Sequence, residues 1–131
     1  MTACGVWLGR RGLVAVLADG GGRISLAVTL APTDGARWGL AQRLAAVGAG
    51  LVIDEAHLPA DPVAFVVRRA GVRVWVAEPP LVASLRCAAG ITRSPARLSA
   101  ALLARLPAIP WLREHLRPLE PEDDPRQIPL L

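Results

Sequence analysis

At 131 residues, 53% of them hydrophobic, the chain is long enough to bury one hydrophobic core and predicts a single folded domain. No apolar run approaches the roughly 20 residues that span a bilayer, and the N-terminus lacks the regions of a signal peptide, so we expect a cytoplasmic protein without a membrane partner. Cys4 and Cys87 form no C-x-x-C pair and only two His are present, which excludes the common zinc patterns.

The net charge of +4 is unevenly distributed along the chain. Residues 1–117 contain 14 Arg and 7 acidic residues, whereas residues 118–131 contain one Arg and four acidic residues. A basic body favours a polyanionic partner such as nucleic acid, and an acidic tail is able to mask that body. A charged surface without a partner is the alternative that composition leaves open.

Three apolar segments joined by short turns open the chain, at Val6–Leu8, Leu13–Ala18 and Arg23–Leu30. Glycines at 20–22 supply the positive φ of a tight hairpin turn between the second and third segments. Apolar residues alternate along the third segment, as in a strand with one buried face. These features predict an antiparallel meander.

Helices and strands then alternate. The signals in chain order are a helix capped by Thr33 or Asp34, an apolar strand at 51–53, a helix from Asp61-Pro62, a strand at Val72–Ala77, helices from Pro79 and from Ser94-Pro95, and a last helix at Trp111–Leu116. The predicted order is β-β-β-α-β-α-β-α-α. It resembles the RNase H-like α/β fold: a three-stranded antiparallel meander plus two βα units, in a mixed five-stranded sheet with helices on both faces.

Two adjacent carboxylates, Asp54 and Glu55, follow the buried strand at 51–53. Open α/β sheets place their sites at the carboxyl ends of strands, so these two acids are the candidate catalytic residues. His57 follows closely and adds an acid–base or metal interpretation. The alternative, which we favour, is that the acids cap the next helix or pair with arginines.

Four motifs follow one another between residues 50 and 106: an apolar strand ending at Asp54, an Ala-Gly-Val-Arg-Val-Trp-Val strand at 70–76, a Glu-Pro pair at 78–79, and an alanine- and leucine-rich segment at 94–104. In spacing and apolar pattern this stretch resembles the RuvC-like N-terminal domain of DEDD-type transposases. The resemblance implies two-metal phosphodiester chemistry on DNA.

Most acids of that family have no counterpart here. The resemblance puts the first acid in strand one, where this chain has Trp7, and the closing pair near Ala96 and Ser99. Two-metal hydrolysis needs several converging carboxylates, of which Asp54 or Glu55 alone would remain. We therefore expect a catalytically degenerate domain, without metal or cofactor, that binds nucleic acid.

Two other functions stay open. A divergent RuvC-like nuclease, resolvase or transposase-derived domain would use Asp54, Glu55 and Asp19 with Mg²⁺ or Mn²⁺. A structural subunit would instead bind a protein partner through exposed Trp and Leu side chains, and would show no salt-dependent binding of nucleic acid.

Four arginines are the candidates for contacts with the phosphate backbone of DNA. Arg10 and Arg11 lie in the first hairpin turn, and Arg93 and Arg97 flank the start of the helix predicted from Ser94. Arginine suits this role because its planar guanidinium donates two hydrogen bonds to one phosphate.

Residues 118–131 are predicted to form a flexible, acidic, proline-rich tail after a domain spanning 1–117. The tail ends in Gln-Ile-Pro-Leu-Leu, which resembles the bacterial sliding-clamp-binding motif, Gln-Leu-x-Leu-Phe. The resemblance implies that Gln127 sets the register while Ile128, Leu130 and Leu131 enter apolar pockets of the β sliding clamp. We therefore expect recruitment to DNA replication, repair or recombination through the clamp or another replisome protein. The alternative is that the apolar end packs on its own domain.

Overall fold

The computed structural model describes residues 2–90 and 96–124, which form a mixed sheet with helices on both faces. The strands are β1 (Ala3–Gly9), β2 (Gly12–Ala18), β3 (Ile24–Leu30), β4 (Gly50–Asp54), β5 (Val74–Ala77) and β6 (Leu116–Pro118). The α-helices are α1 (Asp34–Val47), α2 (Val63–Arg69), α3 (Pro79–Ala88), α4 (Ala96–Arg105) and α5 (Pro110–Arg113). None of these helices is long and apolar enough to cross a bilayer.

The six strands lie in the order β3-β2-β1-β4-β5-β6. The first three form the predicted antiparallel meander, β4 and β5 run parallel to β1, and β6 pairs antiparallel with β5. This is the predicted arrangement of a meander followed by two βα units. The count differs by one, because β6 was not predicted.

The connection into the central strand β4 follows from capping residues at both ends of α1. The Oγ1 atom of Thr33 accepts a hydrogen bond from the amide of Ala36 at 3.1 Å and so starts the helix. Gly48 ends it in the left-handed region, with φ of 67°. The chain then enters β4, which is buried along its length between β1 and β5.

Two hydrophobic layers lie on opposite faces of the sheet. One contains alternate strand residues packed with α1 and α2, among them Val6, Leu13, Leu51, Val76, Leu44 and Phe65. The other contains the intervening strand residues packed with α3 and α4, among them Val52, Ala77, Val82 and Leu103. The alternation of a strand assigns each side chain to one layer or the other.

Helix α4 packs unusually close to β1 because both elements carry small residues. A Cβ atom added at Gly5 would overlap the carbonyl oxygen of Ala100, and one added at Gly9 would lie 3.0 Å from the Cβ of Ala96. The helix therefore runs antiparallel to β1, with its N-terminal turn at the carboxyl end of the strand.

The segment after α4 differs from the prediction in two ways. The short helix predicted at Trp111–Leu116 is present with other bounds: it spans Pro110–Arg113, and the chain then forms β6 from Leu116. The extended tail predicted from residue 118 is instead packed on the domain as far as residue 124, the last that the structure describes in this segment. Its acidic, proline-rich composition suggested a linker, but β5 would otherwise leave an open edge, which β6 pairs.

Specific contacts hold this C-terminal segment in place. The amide of Leu119 donates to the carbonyl of Val74 at 3.2 Å, and the Leu119 side chain is 5% exposed within the core. Arg117 donates to both carboxylate oxygens of Asp123, at 2.8 and 2.9 Å. The predicted domain boundary at 117 therefore does not coincide with the end of the packed structure.

Candidate nucleic-acid interface

The carboxyl ends of β1 and β4 bring Trp7 and Asp54 next to each other. The parallel register pairs Val6 with Ile53, so Trp7 and Asp54 follow side by side. Both point to the face covered by α4, since Val52, two residues before Asp54, packs in the layer with that helix. Asp54 is 4% exposed. Trp7 thus occupies the strand-one position at which the transposase resemblance puts an acid.

Two basic side chains contact the indole ring of Trp7. The ring centroids of Trp7 and His57 are 4.4 Å apart with an angle of 56° between their planes. The guanidinium carbon of Arg86, on α3, lies 4.8 Å from the centroid of the Trp7 ring, within the range of a cation–π interaction. Trp7 therefore contacts one imidazole and one guanidinium group at this edge.

His57 is held as a neutral imidazole at this edge. Its Nδ1 atom accepts a hydrogen bond from the amide of Leu8 at 3.0 Å, which places the ring proton on Nε2. Burial lowers the pKa of His57 below its ordinary value of 6.5; Asp54 opposes the shift and Arg86 adds to it. His57 therefore adds no positive or negative charge to the site near neutral pH.

The carboxylates of the adjacent residues Asp54 and Glu55 have different partners. The Oδ1 atom of Asp54 accepts from the amide of Ala56 at 2.9 Å and caps the short 3₁₀ turn Glu55–His57. Glu55 is exposed and lies 3.7 Å from the guanidinium of Arg117 on β6. The first acid is buried and the second faces the C-terminal segment, so they do not converge.

Asp19 lies at the other end of the sheet. Ala18 pairs with Ala3 at the start of β1, which puts Asp19 opposite to the edge that carries Asp54. Its Oδ1 atom accepts from the amides of Gly21 and Arg23, at 2.9 and 3.0 Å, and stabilises the hairpin turn. Asp19 and Asp54 therefore cannot hold one metal.

The described residues do not fit a two-metal site. Within 2–90 and 96–124, no three His, Cys, Asp or Glu side chains group closely enough to hold a metal ion. The positions that the resemblance gives to the closing acids are Ala96 and Ser99, both on the first turns of α4. Ala96 lies against β1, and Ser99 is 1% exposed.

A depression of about 740 Å³ opens at the same edge of the sheet, and we call it the basic depression. It is lined by Trp7, Leu8, Gly9, Arg10, Arg11, Gly12, Val14, Thr29 and Ala96. Arg10 and Arg11 are exposed in the β1–β2 turn, and Arg97, also exposed, follows Ala96 on α4. Three of the four arginines predicted to contact phosphate thus lie at or beside it.

The other predicted contacts fall outside the described residues. Arg93 belongs to the undescribed stretch 91–95, and Gln127, Ile128, Leu130 and Leu131 follow residue 124. Arg86 was not selected from the sequence, because nothing in its spacing on α3 indicates a contact with Trp7, 79 positions earlier. The contact between Arg86 and Trp7 arises from the packing of α3 on the sheet, which the sequence does not specify locally.

Fold and site together define an α/β domain of the RNase H-like class, in which the carboxyl edge of the sheet places Trp7, in contact with Arg86, beside Asp54. Its fold is that of RuvC. The solved structure of Thermus thermophilus RuvC in complex with Holliday junction substrate matches with a TM-score of 0.62 and 18% identity, over 91% of this chain and 99% of that chain. A second Thermus thermophilus RuvC structure matches with a TM-score of 0.54 and 19% identity, over 91% and 100%.

These likenesses confirm the predicted RNase H-like, RuvC-like fold, and at this identity they concern the fold alone. No family model and no curated protein matches the chain.

Proposed function

We propose that this protein is a RuvC-like domain that binds DNA without cleaving it. The observation that carries the proposal is the edge where Trp7 stands beside Asp54 and contacts Arg86. An indole offers no oxygen ligand for a hard cation, and a guanidinium beside it repels one. The chemistry of this edge suits a phosphate better than a metal ion.

Support for binding comes from the basic depression. Arg10 and Arg11 are exposed and line a concave surface that includes Trp7, and the exposed Arg97 follows Ala96 of that lining. Each phosphate that a cation neutralises releases counterions, which gives affinity for DNA of any sequence. The similar Thermus thermophilus protein was solved with a Holliday junction, so a four-way junction is the first DNA to test.

Fluorescence anisotropy of a labelled four-way junction, measured over a salt series, tests this proposal. We expect affinity to fall steeply with salt, and Arg10→Ala/Arg11→Ala to lower the log–log slope by about 1.8, or about 0.9 per lost phosphate contact. The matched control is Arg43→Ala/Arg69→Ala, which removes two exposed arginines from α1 and α2 on the other face of the sheet.

The control variant should keep the slope of the unmodified protein. Binding that is absent, or independent of salt, would contradict the proposal and favour a structural subunit that binds another protein.

We further propose that the last five residues recruit the domain to a β sliding clamp, and so to DNA replication, repair or recombination. The support is the Gln127 motif, which follows an acidic, proline-rich stretch of the chain. A short peptide with aliphatic anchors fits a preformed groove, and tethering raises its effective concentration near DNA.

Titration of a labelled peptide of residues 120–131 with a bacterial β clamp tests this recruitment. We expect a Kd below about 100 μM, in the range of short peptides, and loss of binding in Gln127→Ala/Leu130→Ala. A peptide with the same residues in scrambled order is the control. No binding at about 100 μM would contradict the recruitment and leave DNA binding untouched.

A further inference from the structure

Arg86 is unlike the other half-buried arginines of the described chain. Arg37 donates to both carboxylate oxygens of Asp61, at 3.0 and 3.3 Å, and Arg117 does the same with Asp123. None of the ion pairs within residues 2–90 and 96–124 includes Arg86. Every Asp and Glu of the chain lies in those ranges, so no acidic side chain is left to pair with it.

The unpaired guanidinium also has an unsatisfied donor. The Nε atom of Arg86 is buried and has no hydrogen-bond partner among the described residues. A buried donor without a partner costs free energy, and more so when it carries charge. Contact with the Trp7 ring offsets part of this cost. The ring does not, however, accept a hydrogen bond from the Nε–H group, which lies in the plane of the guanidinium.

Ser99, on α4, is a second residue with a buried donor. Its Oγ atom likewise has no hydrogen-bond partner among the described residues. Ser99 precedes Leu103 by one helical turn, and therefore shares the face through which Leu103 packs with Val82 of α3. The following residue, Ala100, belongs to the cluster against which Trp7 packs. Ser99 therefore lies on the buried side of α4, which packs against the sheet and α3.

We propose that Arg86 and Ser99, beside Trp7, form a binding site for one phosphate oxyanion, supplied by the DNA backbone. This inference rests on the proposed DNA binding and assigns the innermost contact of that interface. The guanidinium would donate through Nε and its terminal amino groups, and Ser99 through its hydroxyl. A fixed arginine thereby provides the positive charge that a bound metal provides in a two-metal nuclease.

The charges around the site favour an anion. Arg10 and Arg11 line the adjoining basic depression, and His57 is neutral near neutral pH. Of the acids at this edge, Asp54 is buried and its Oδ1 atom is hydrogen-bonded to the amide of Ala56, whereas Glu78, which follows β5, is exposed. Glu55 faces Arg117 instead.

Nuclear magnetic resonance of the arginine Nε–Hε groups in the full-length protein tests the oxyanion site directly. The Arg86 signal is assigned from its loss in Arg86→Lys. We expect it to move and saturate on titration with inorganic phosphate and with a four-way junction. The guanidinium groups of Arg37 and Arg117 are already paired with carboxylates. Their Nε signals are therefore internal controls and should stay in place.

Binding of the four-way junction to Arg86 variants, measured by fluorescence anisotropy, is the second test of the oxyanion site. Arg86→Gln should weaken binding of the junction about tenfold and lower the salt slope by about 0.9, since one charge-assisted phosphate contact is lost. Arg86→Lys should keep the slope, because it keeps the charge. Arg43→Gln, on the exposed surface of α1, should change neither.

The outcomes separate this inference from the function on which it rests. An Arg86 signal that moves with phosphate but not with DNA supports the oxyanion site and rejects the DNA backbone as its source. An unmoved signal, together with normal DNA binding by Arg86→Gln, overturns the inference and leaves DNA binding standing. Thermal unfolding identifies any variant that fails to fold. In that case the phosphate titration of the unmodified protein still tests the oxyanion site.

Discussion

At the residue scale, the identity of Trp7 determines which chemistry the carboxyl edge of the sheet supports. Its ring lies beside the buried Asp54 and contacts His57 and Arg86. The carboxylate of Asp54 therefore has an apolar neighbour on β1. An acid in that place would create two adjacent carboxylates that a divalent cation could bridge. In the function that we propose, this one residue makes the edge suit an anion in place of a cation.

His57 gives this cluster a measurable pH dependence. Its pKa is lowered from 6.5, chiefly by burial, so between the lowered pKa and 6.5 the unfolded chain binds a proton that the folded chain does not. We expect the free energy of unfolding to decrease as pH falls through that window, and His57 to contribute no pH dependence above it.

Thermal unfolding between about pH 8 and pH 5 measures the effect. The melting temperature of the unmodified protein should fall more steeply than that of His57→Gln. The control His115→Gln, which changes an exposed histidine, should follow the unmodified curve. Parallel curves for all three proteins would contradict the assignment of a buried neutral His57.

At the element scale, the close approach of α4 to β1 holds the site together. Gly5 leaves room for the backbone of α4 at Ala100, and the approach brings Ser99 to the edge that Trp7 occupies. The alanine-rich pattern of α4 predicted a helix, but the need for glycine at position 5 cannot be read from β1 alone. It arises from a contact between segments 95 residues apart in the sequence.

We expect Gly5→Ala to lower the free energy of unfolding by about 2–3 kcal/mol, because the added methyl group displaces the α4 backbone. The matched control is Gly39→Ala in α1, where an added Cβ has no neighbour within 4 Å. That change should raise stability by about 0.5–1 kcal/mol, since alanine is the better helix former. Chemical denaturation measures both, and equal effects would contradict the packing of α4 on β1.

The C-terminal segment is the second element with a defined test. Arg117 holds the pKa of Asp123 below its usual 3.8, so this pair stabilises the fold above that pH and the contribution is lost as pH falls through the lowered pKa. We expect Asp123→Asn to speed hydrogen exchange at the amide of Leu119, which bonds to Val74.

The control for this segment is Glu122→Gln, which changes an exposed neighbour of Asp123 and should leave exchange at Leu119 unaltered. Rapid exchange at Leu119 in the unmodified protein would show that the segment does not pack on β5. The sequence-based description of an extended tail from residue 118 would then be correct.

At the scale of the whole molecule, the order of elements was predictable because each signal is local. Glycine turns, helix caps and apolar alternation specify strands and helices within a few residues, and the order β-β-β-α-β-α-β then limits the topologies. Strand β6 was not predicted, because its three residues acquire a strand conformation only by pairing with β5. Local composition there pointed to a linker.

The site was predictable in part, for the same reason. Asp54 follows a recognisable strand, and Trp7 could be compared with the acid that a transposase-like strand would carry. The roles of His57, Arg86 and Ser99 depend on hydrogen bonds and ring contacts between distant segments, which no spacing encodes.

We propose that the RuvC-like edge of this protein holds DNA and does not cut it. The most direct test is a denaturing gel of an end-labelled four-way junction, incubated with the full-length protein and Mg²⁺ or Mn²⁺ at concentrations that saturate binding by anisotropy. We predict that every DNA strand keeps its full length. Cleaved strands that disappear when Asp54→Ala replaces the unmodified protein would contradict the account and identify a metal-dependent nuclease.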